Sequence, residues 1–84
     1  MKRTMICPDL DFDGEFHELE CVGTTIAELL DSLQPDHGDL VRKIRNADGQ
    51  YLCVFFSGGR VVSPTEMLTD DQYVITCGGL FYGG

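Results

Sequence analysis

The chain has 84 residues, enough for one small domain and too few for two separate cores. Its 14 acidic and 6 basic side chains give a formal net charge of −8, which argues against binding nucleic acid or an anionic membrane, where Lys and Arg supply the affinity. No apolar run approaches the ~20 residues of a membrane span, and the opening Met-Lys-Arg-Thr-Met-Ile-Cys-Pro is no signal peptide, so the expected location is cytoplasmic.

In chain order, residues 4–12 and 15–21 read as two strands joined at Asp13-Gly14, a hairpin signal. His17, Leu19 and Cys21 share one face of the second strand, and Glu18 and Glu20 take the other. Pro8 has no N–H to donate, so the first strand should bulge or end its pairing there. Ile26, Leu29, Leu30 and Leu33 then fall at i, i+3, i+4 and i+7, the stripe of an amphipathic helix. Thr25 with Glu28 makes a capping box, and Pro35 is expected to end the helix. Leu40, Val41 and Ile44 suggest a shorter second helix beginning at Asp36 or Asp39. Arg42, Lys43 and Arg45 lie near its end, where the helix dipole favours cations.

Asn46-Ala47-Asp48-Gly49 reads as a turn before a strand over 51–56, and Ser57-Gly58-Gly59 as a turn into a short strand around 60–62. A last strand runs from Tyr73 to Cys77. Its inward parity stays open, because both Tyr73/Ile75/Cys77 and Val74/Thr76 could face the helix. Phe55 and Phe56 point to opposite faces of one strand, so one of them lies away from the helix; Phe55 is taken as the partner-binding residue. The order strand, strand, helix, short helix, strand, strand, strand predicts an α+β roll with one sheet face on the main helix.

The four cysteines form no Cys-x-x-Cys pair, so neither a zinc ribbon nor a plant-type iron–sulfur spacing is present, and they read as reduced, buried thiols. Residues 9–20 match the calcium-loop pattern D-x-D-x-D-G-x5-E, with Asp9, Asp11, Asp13 and Glu20 as ligands. An EF-hand needs a flanking helix on each side, and Met5-Ile6-Cys7-Pro8 offers none, so the hairpin reading is preferred and no metal is expected. His17 and His37 stand alone, with no Ser or Cys partner that sequence can single out.

After the last strand the chain runs Gly78-Gly79-Leu80-Phe81-Tyr82-Gly83-Gly84. From the helix Thr25–Leu33, through Leu68-Thr69-Asp70, to Gly83-Gly84, the sequence resembles the ubiquitin-like β-grasp family. It is most similar to the small prokaryotic sulfur carriers of the molybdopterin synthase small-subunit and thiamine-pathway types. The resemblance implies a single β-grasp domain over 1–79, with a mixed four- to five-stranded sheet on one main helix, and a flexible tail over 80–84. It further implies that a separate enzyme, using ATP and Mg²⁺, adenylates the Gly84 carboxylate, and that a sulfur nucleophile then converts it to a thiocarboxylate for a synthase to consume. On that reading the chain is a co-substrate without bound cofactor rather than an enzyme, a monomer or a partner-bound heteromer. Gly83, Tyr82, Phe81 and Leu80 would contact the partner beside Phe55. A ubiquitin-like modifier conjugated through Gly84, or a non-covalent binding module, is the alternative.

Overall fold

The computed structural model describes residues 2–8 and 16–78, and for residues 8, 16 and 17 only the backbone. Five strands and one helix follow in the order β1 (Lys2–Pro8), β2 (Phe16–Val22), α1 (Ile26–Ile44), β3 (Val54–Ser57), β4 (Arg60–Val62) and β5 (Val74–Gly78). The strands form one sheet in the order β2-β1-β5-β3-β4. β1 runs parallel to β5 and antiparallel to β2, while β3 is antiparallel to both β4 and β5. The sheet is therefore mixed, with the helix packed on one face, an arrangement consistent with a β-grasp-like fold.

The first two strands pair from Lys2↔Val22 to Pro8↔Phe16, so β1 starts earlier than the residue 4 expected, and residues 9–12 of the expected strand lie outside the described residues. Pro8 is itself within the ladder, paired with Phe16, and the residues that follow it lie outside the described ones. The Asp13-Gly14 turn lies outside the described residues, as does the segment from 79 onward, including the tail over 80–84.

The helix starts as its sequence dictates. Thr25 sits at the cap in extended conformation, and its Oγ1 accepts from the Glu28 N–H at 3.1 Å. Glu28 Oε1 reaches back one residue further than a standard capping box, accepting from the Thr24 N–H at 2.7 Å and the Thr24 hydroxyl at 2.8 Å. These bonds hold the Glu28 carboxyl below its usual range. Two helices were expected, but they are the two limbs of one kinked helix. Pro35 removes a donor and crowds the carbonyl one turn back, which bends the helix instead of ending it, and His37 takes the non-helical φ of −132°. The apolar stripe crosses the bend: Ile26, Leu29, Leu30, Leu33, Val41 and Ile44 are all buried. Arg45, at the C-terminal cap, donates to Asp31 Oδ1 at 2.8 Å and so braces the second limb against the first.

Opposite the helix stand Met5, Cys7, Cys21, Phe55, Val62, Ile75 and Cys77, all core residues, so Ile75 and Cys77 fix the parity of β5 that sequence left open. β3 is shorter than the strand expected over 51–56; Tyr51 makes only an isolated bridge with Arg45. The β3–β4 turn uses Gly58 and Gly59 at φ +62° and +79°, the pair of left-handed residues that a tight hairpin matched to strand twist requires.

One buried charge departs from ordinary patterning. Arg3 is 2% exposed, and no carboxylate meets it among the described residues. Its guanidinium donates to the carbonyls of Gly23 (2.9 Å), Thr69 (2.9 Å) and Gln72 (2.8 Å). One planar fork thus ties β1 to the turn before the helix and to the loop leading into β5.

Candidate functional site

Among the described residues one helix covers one sheet face, and Glu18, Glu20, Val22, Phe56, Val61 and Val74 are exposed on the other. The residues of that face whose side chains are described are the even-numbered ones of β1 up to Ile6, of β2 from Glu18, and of β3 and β5, with Val61 from β4. Register places Ile6 beside Thr76, Thr76 beside Phe56, and Phe56 beside Val61, a continuous row across four strands. Phe56 is 38% exposed and Val61 58% exposed, and Val74 is exposed one step along β5. The row ends at β2 on two carboxylates, with Glu18 opposite Ile6 and Glu20 opposite Thr4. An apolar strip with an acidic border is the result.

The strip borders the point where the described chain ends. A Cβ built on Gly78 would lie 3.5 Å from Phe56 Cε2, so the Phe56 ring sits against the last residue of β5. Anything seated on Phe56 would therefore touch the strand that leads into residues 79–84.

Phe55 does not belong to this surface. At 1% exposure it is a core residue, its ring edge-on to Tyr51 at 6.0 Å, because its register partners Cys77 and Val62 both face the helix. Phe56, the alternative from the same strand, takes the surface position. Val61 and Val74 were not singled out from sequence; the alternation of β5 and β4 would have pointed to them had the inward parity been known. Gly84, Gly83, Tyr82, Phe81 and Leu80 lie outside the described residues.

Asp9, Asp11 and Asp13 also lie outside them, and Glu20 is an exposed strand residue opposite Thr4. Among the described residues no group of three or more His, Cys, Asp or Glu side chains is placed to hold a metal ion. His37 is exposed at the helix bend. No helix of the described residues is long and apolar enough to cross a membrane.

All four cysteines are free and buried. Cys7 and Cys77 are neighbours on the two central strands, with their sulfurs 3.5 Å apart. The shared S–H···S contact holds Cys7 low against the opposing effect of burial, and it pushes Cys77 up together with burial. Burial, reinforced by the Cys7 charge, pushes Cys21 and Cys53 up to about 11. Cys21, Cys53 and Cys77, held neutral and packed in the core, are poor nucleophiles.

Compared with family models, curated proteins and solved structures, the chain matches none of them.

Proposed function

We propose that this chain is a sulfur carrier of ubiquitin-like β-grasp type, acting as a protein co-substrate through the carboxylate of Gly84. The supporting observation is the strand order β2-β1-β5-β3-β4 beneath one helix, whose central strand β5 leads toward the sequence Gly83-Gly84. A partner enzyme supplies ATP and Mg²⁺. The Gly84 carboxylate attacks the α-phosphorus, pyrophosphate leaves, and the acyl group becomes a mixed anhydride. The terminal sulfur of an enzyme persulfide displaces AMP, and a second thiol then breaks the sulfur–sulfur bond, leaving a C-terminal thiocarboxylate and an enzyme disulfide. Glycine at the last positions puts no Cβ beside the acyl carbon under attack.

The open sheet face supports the same reading. A partner that covers Ile6, Phe56, Val61 and Val74 sits directly over β5 and so is positioned to receive the residues that follow it. Basic groups around an apolar centre would complement Glu18 and Glu20, and steering by the net charge of −8 weakens with salt.

The test is intact-mass analysis of the full chain after incubation with an adenylating enzyme, ATP and a persulfide donor. A mass gain equal to sulfur replacing oxygen, absent when Gly84 is deleted or followed by an extra residue, supports the carrier. An isopeptide adduct on a target lysine replaces it with a modifier, and full activity with a blocked C-terminus leaves a binding module.

A further inference from the structure

A second surface lies at the other end of the sheet, near where β5 begins. A cleft of about 270 Å³ is lined by Ser57, Gly58 and Arg60 from the β3–β4 hairpin and by Glu66, Met67, Thr69, Asp71 and Gln72 from the loop before β5. The four residue steps along β5 from Val74 to Gly78 separate it from the Gly78 end by roughly 13 Å. Nothing in the proposed terminal chemistry uses it.

Three features decide what it can hold. First, its ion pair is internally closed. Glu66 Oε2 takes the Arg60 guanidinium and Oε1 takes the Ser63 N–H, so this pair adds no net charge. Asp71 is the uncompensated charge, exposed and without an ion-pair partner among the described residues. Second, Gln72 is only 9% exposed, yet its amide is half used. Oε1 accepts from the Thr69 N–H at 2.8 Å and the Thr69 hydroxyl at 3.3 Å, while Nε2 donates to no described residue. Among the described residues no partnerless side-chain nitrogen or oxygen is fully enclosed, so this Nε2 is accessible, on a residue that lines the cleft. Third, Met67 is 67% exposed, a polarizable apolar contact beside otherwise polar walls. Ser57 Oγ donates to the Val74 carbonyl and Thr69 Oγ1 to Gln72, which leaves the lone pairs of both hydroxyls as acceptors.

We propose that this cleft docks a Lys or Arg side chain of a partner polypeptide. The cation meets Asp71 and the Ser57 and Thr69 hydroxyl oxygens. Its aliphatic stem lies on Met67, and the partner's backbone carbonyl accepts from Gln72 Nε2. The carbonyl contact is what selects a polypeptide over a free amine. Since this end of β5 is remote from Gly78, the contact can persist while the far end of the chain is engaged elsewhere.

The test is an NMR titration of the ¹⁵N-labelled full chain with Nα-acetyl-lysine N-methylamide. Saturable shifts confined to residues 57–60 and 66–72 are expected, weakened roughly tenfold for the uncharged norleucine analogue and for butylammonium, which lacks the backbone. Asp71→Asn, at an exposed position, should weaken binding about fivefold with an otherwise unchanged spectrum. Shifts spread evenly over Glu18, Glu20, Asp36 and Asp48, or equal binding of butylammonium, would overturn the proposal. So would unchanged affinity in Asp71→Asn, or in Met67→Ser as a second variant.

Discussion

Adjacent phenylalanines on β3 provide a controlled comparison, because the same substitution at 55 and 56 probes opposite faces of one sheet. Phe55 is enclosed between strands and helix, so Phe55→Ala should cost about 3–5 kcal/mol, transfer plus cavity. A chain of this length holds about 4–13 kcal/mol in total, so the variant should show a much lower urea midpoint and, at the low end of that range, should be unfolded. Phe56 is 38% exposed, so roughly three-fifths of the 1.5–3 kcal/mol of a fully buried ring, about 1–2 kcal/mol, is at stake. At about 4–8 °C per kcal/mol, Phe56→Ala should lower Tm by roughly 4–16 °C and leave a cooperative urea transition. Its larger effect belongs to partner recognition. With an adenylating enzyme, pyrophosphate release should show a carrier KM raised about 10–30-fold at nearly constant kcat, the signature of a lost docking contact worth about 1.4–2 kcal/mol. Equal destabilisation by the two substitutions would refute the reasoning, since it would mean that the outer face is covered in solution as thoroughly as the inner one. A folded Phe56→Ala with wild-type KM would remove the docking role alone.

Burial raises Cys21 and Cys53 to about 11, so their neutral thiols are favoured by folding. That contribution is complete below the unfolded thiol range near 8.5 and is lost as pH rises toward 11; urea midpoints should fall between pH 8.5 and 11, and a thiol-specific disulfide reagent at pH 8 should label no cysteine until denaturant is added. Arg3→Met should cost about 2–4 kcal/mol by urea denaturation, because one buried and two part-buried carbonyls lose their donor; Arg3→Lys should recover little, since an ammonium cannot span the three directions. Gly23→Ala should be strongly destabilising in the same assay. Its φ of +152° is hostile to a side chain, and the new Cβ would lie 2.6 Å from Glu28 Cβ.

What was legible in the sequence was what is local. The helix stripe and the Thr25 cap depend on a few neighbouring residues and appear where spacing put them. The bend at His37 was half legible. Pro35 signals interruption, but whether the helix stops or bends depends on whether Val41 and Ile44 find the same core, which is a tertiary matter. Phe55 against Phe56 was not legible, because two identical neighbours differ only in register, and register is set by Cys77 and Val62 far along the chain. Arg3 was hidden for the same reason, since its acceptors lie 20, 66 and 69 residues away. Cleft residues such as Gln72 and Ser57 carry no motif at all; only the meeting of the hairpin and the loop makes them neighbours.

The outward strip follows from the size of the chain. One helix of 19 residues can shield one side of a five-stranded sheet, and the described residues supply no second helix for the other. A sheet that only had to stay in water would place polar side chains on that side, as Glu18, Glu20, Thr4 and Thr76 do. Ile6, Phe56, Val61 and Val74 break that pattern across β1, β5, β3 and β4, on either side of Thr76 and beside the end of β5, and Val22 is a further exposed apolar residue on the β2 edge. The exposed part of these side chains gains nothing for folding, and the adjoining carboxylates oppose self-association of a chain carrying −8. The combination favours an occupant of different charge, delivered to the one strand from which the rest of the chain continues.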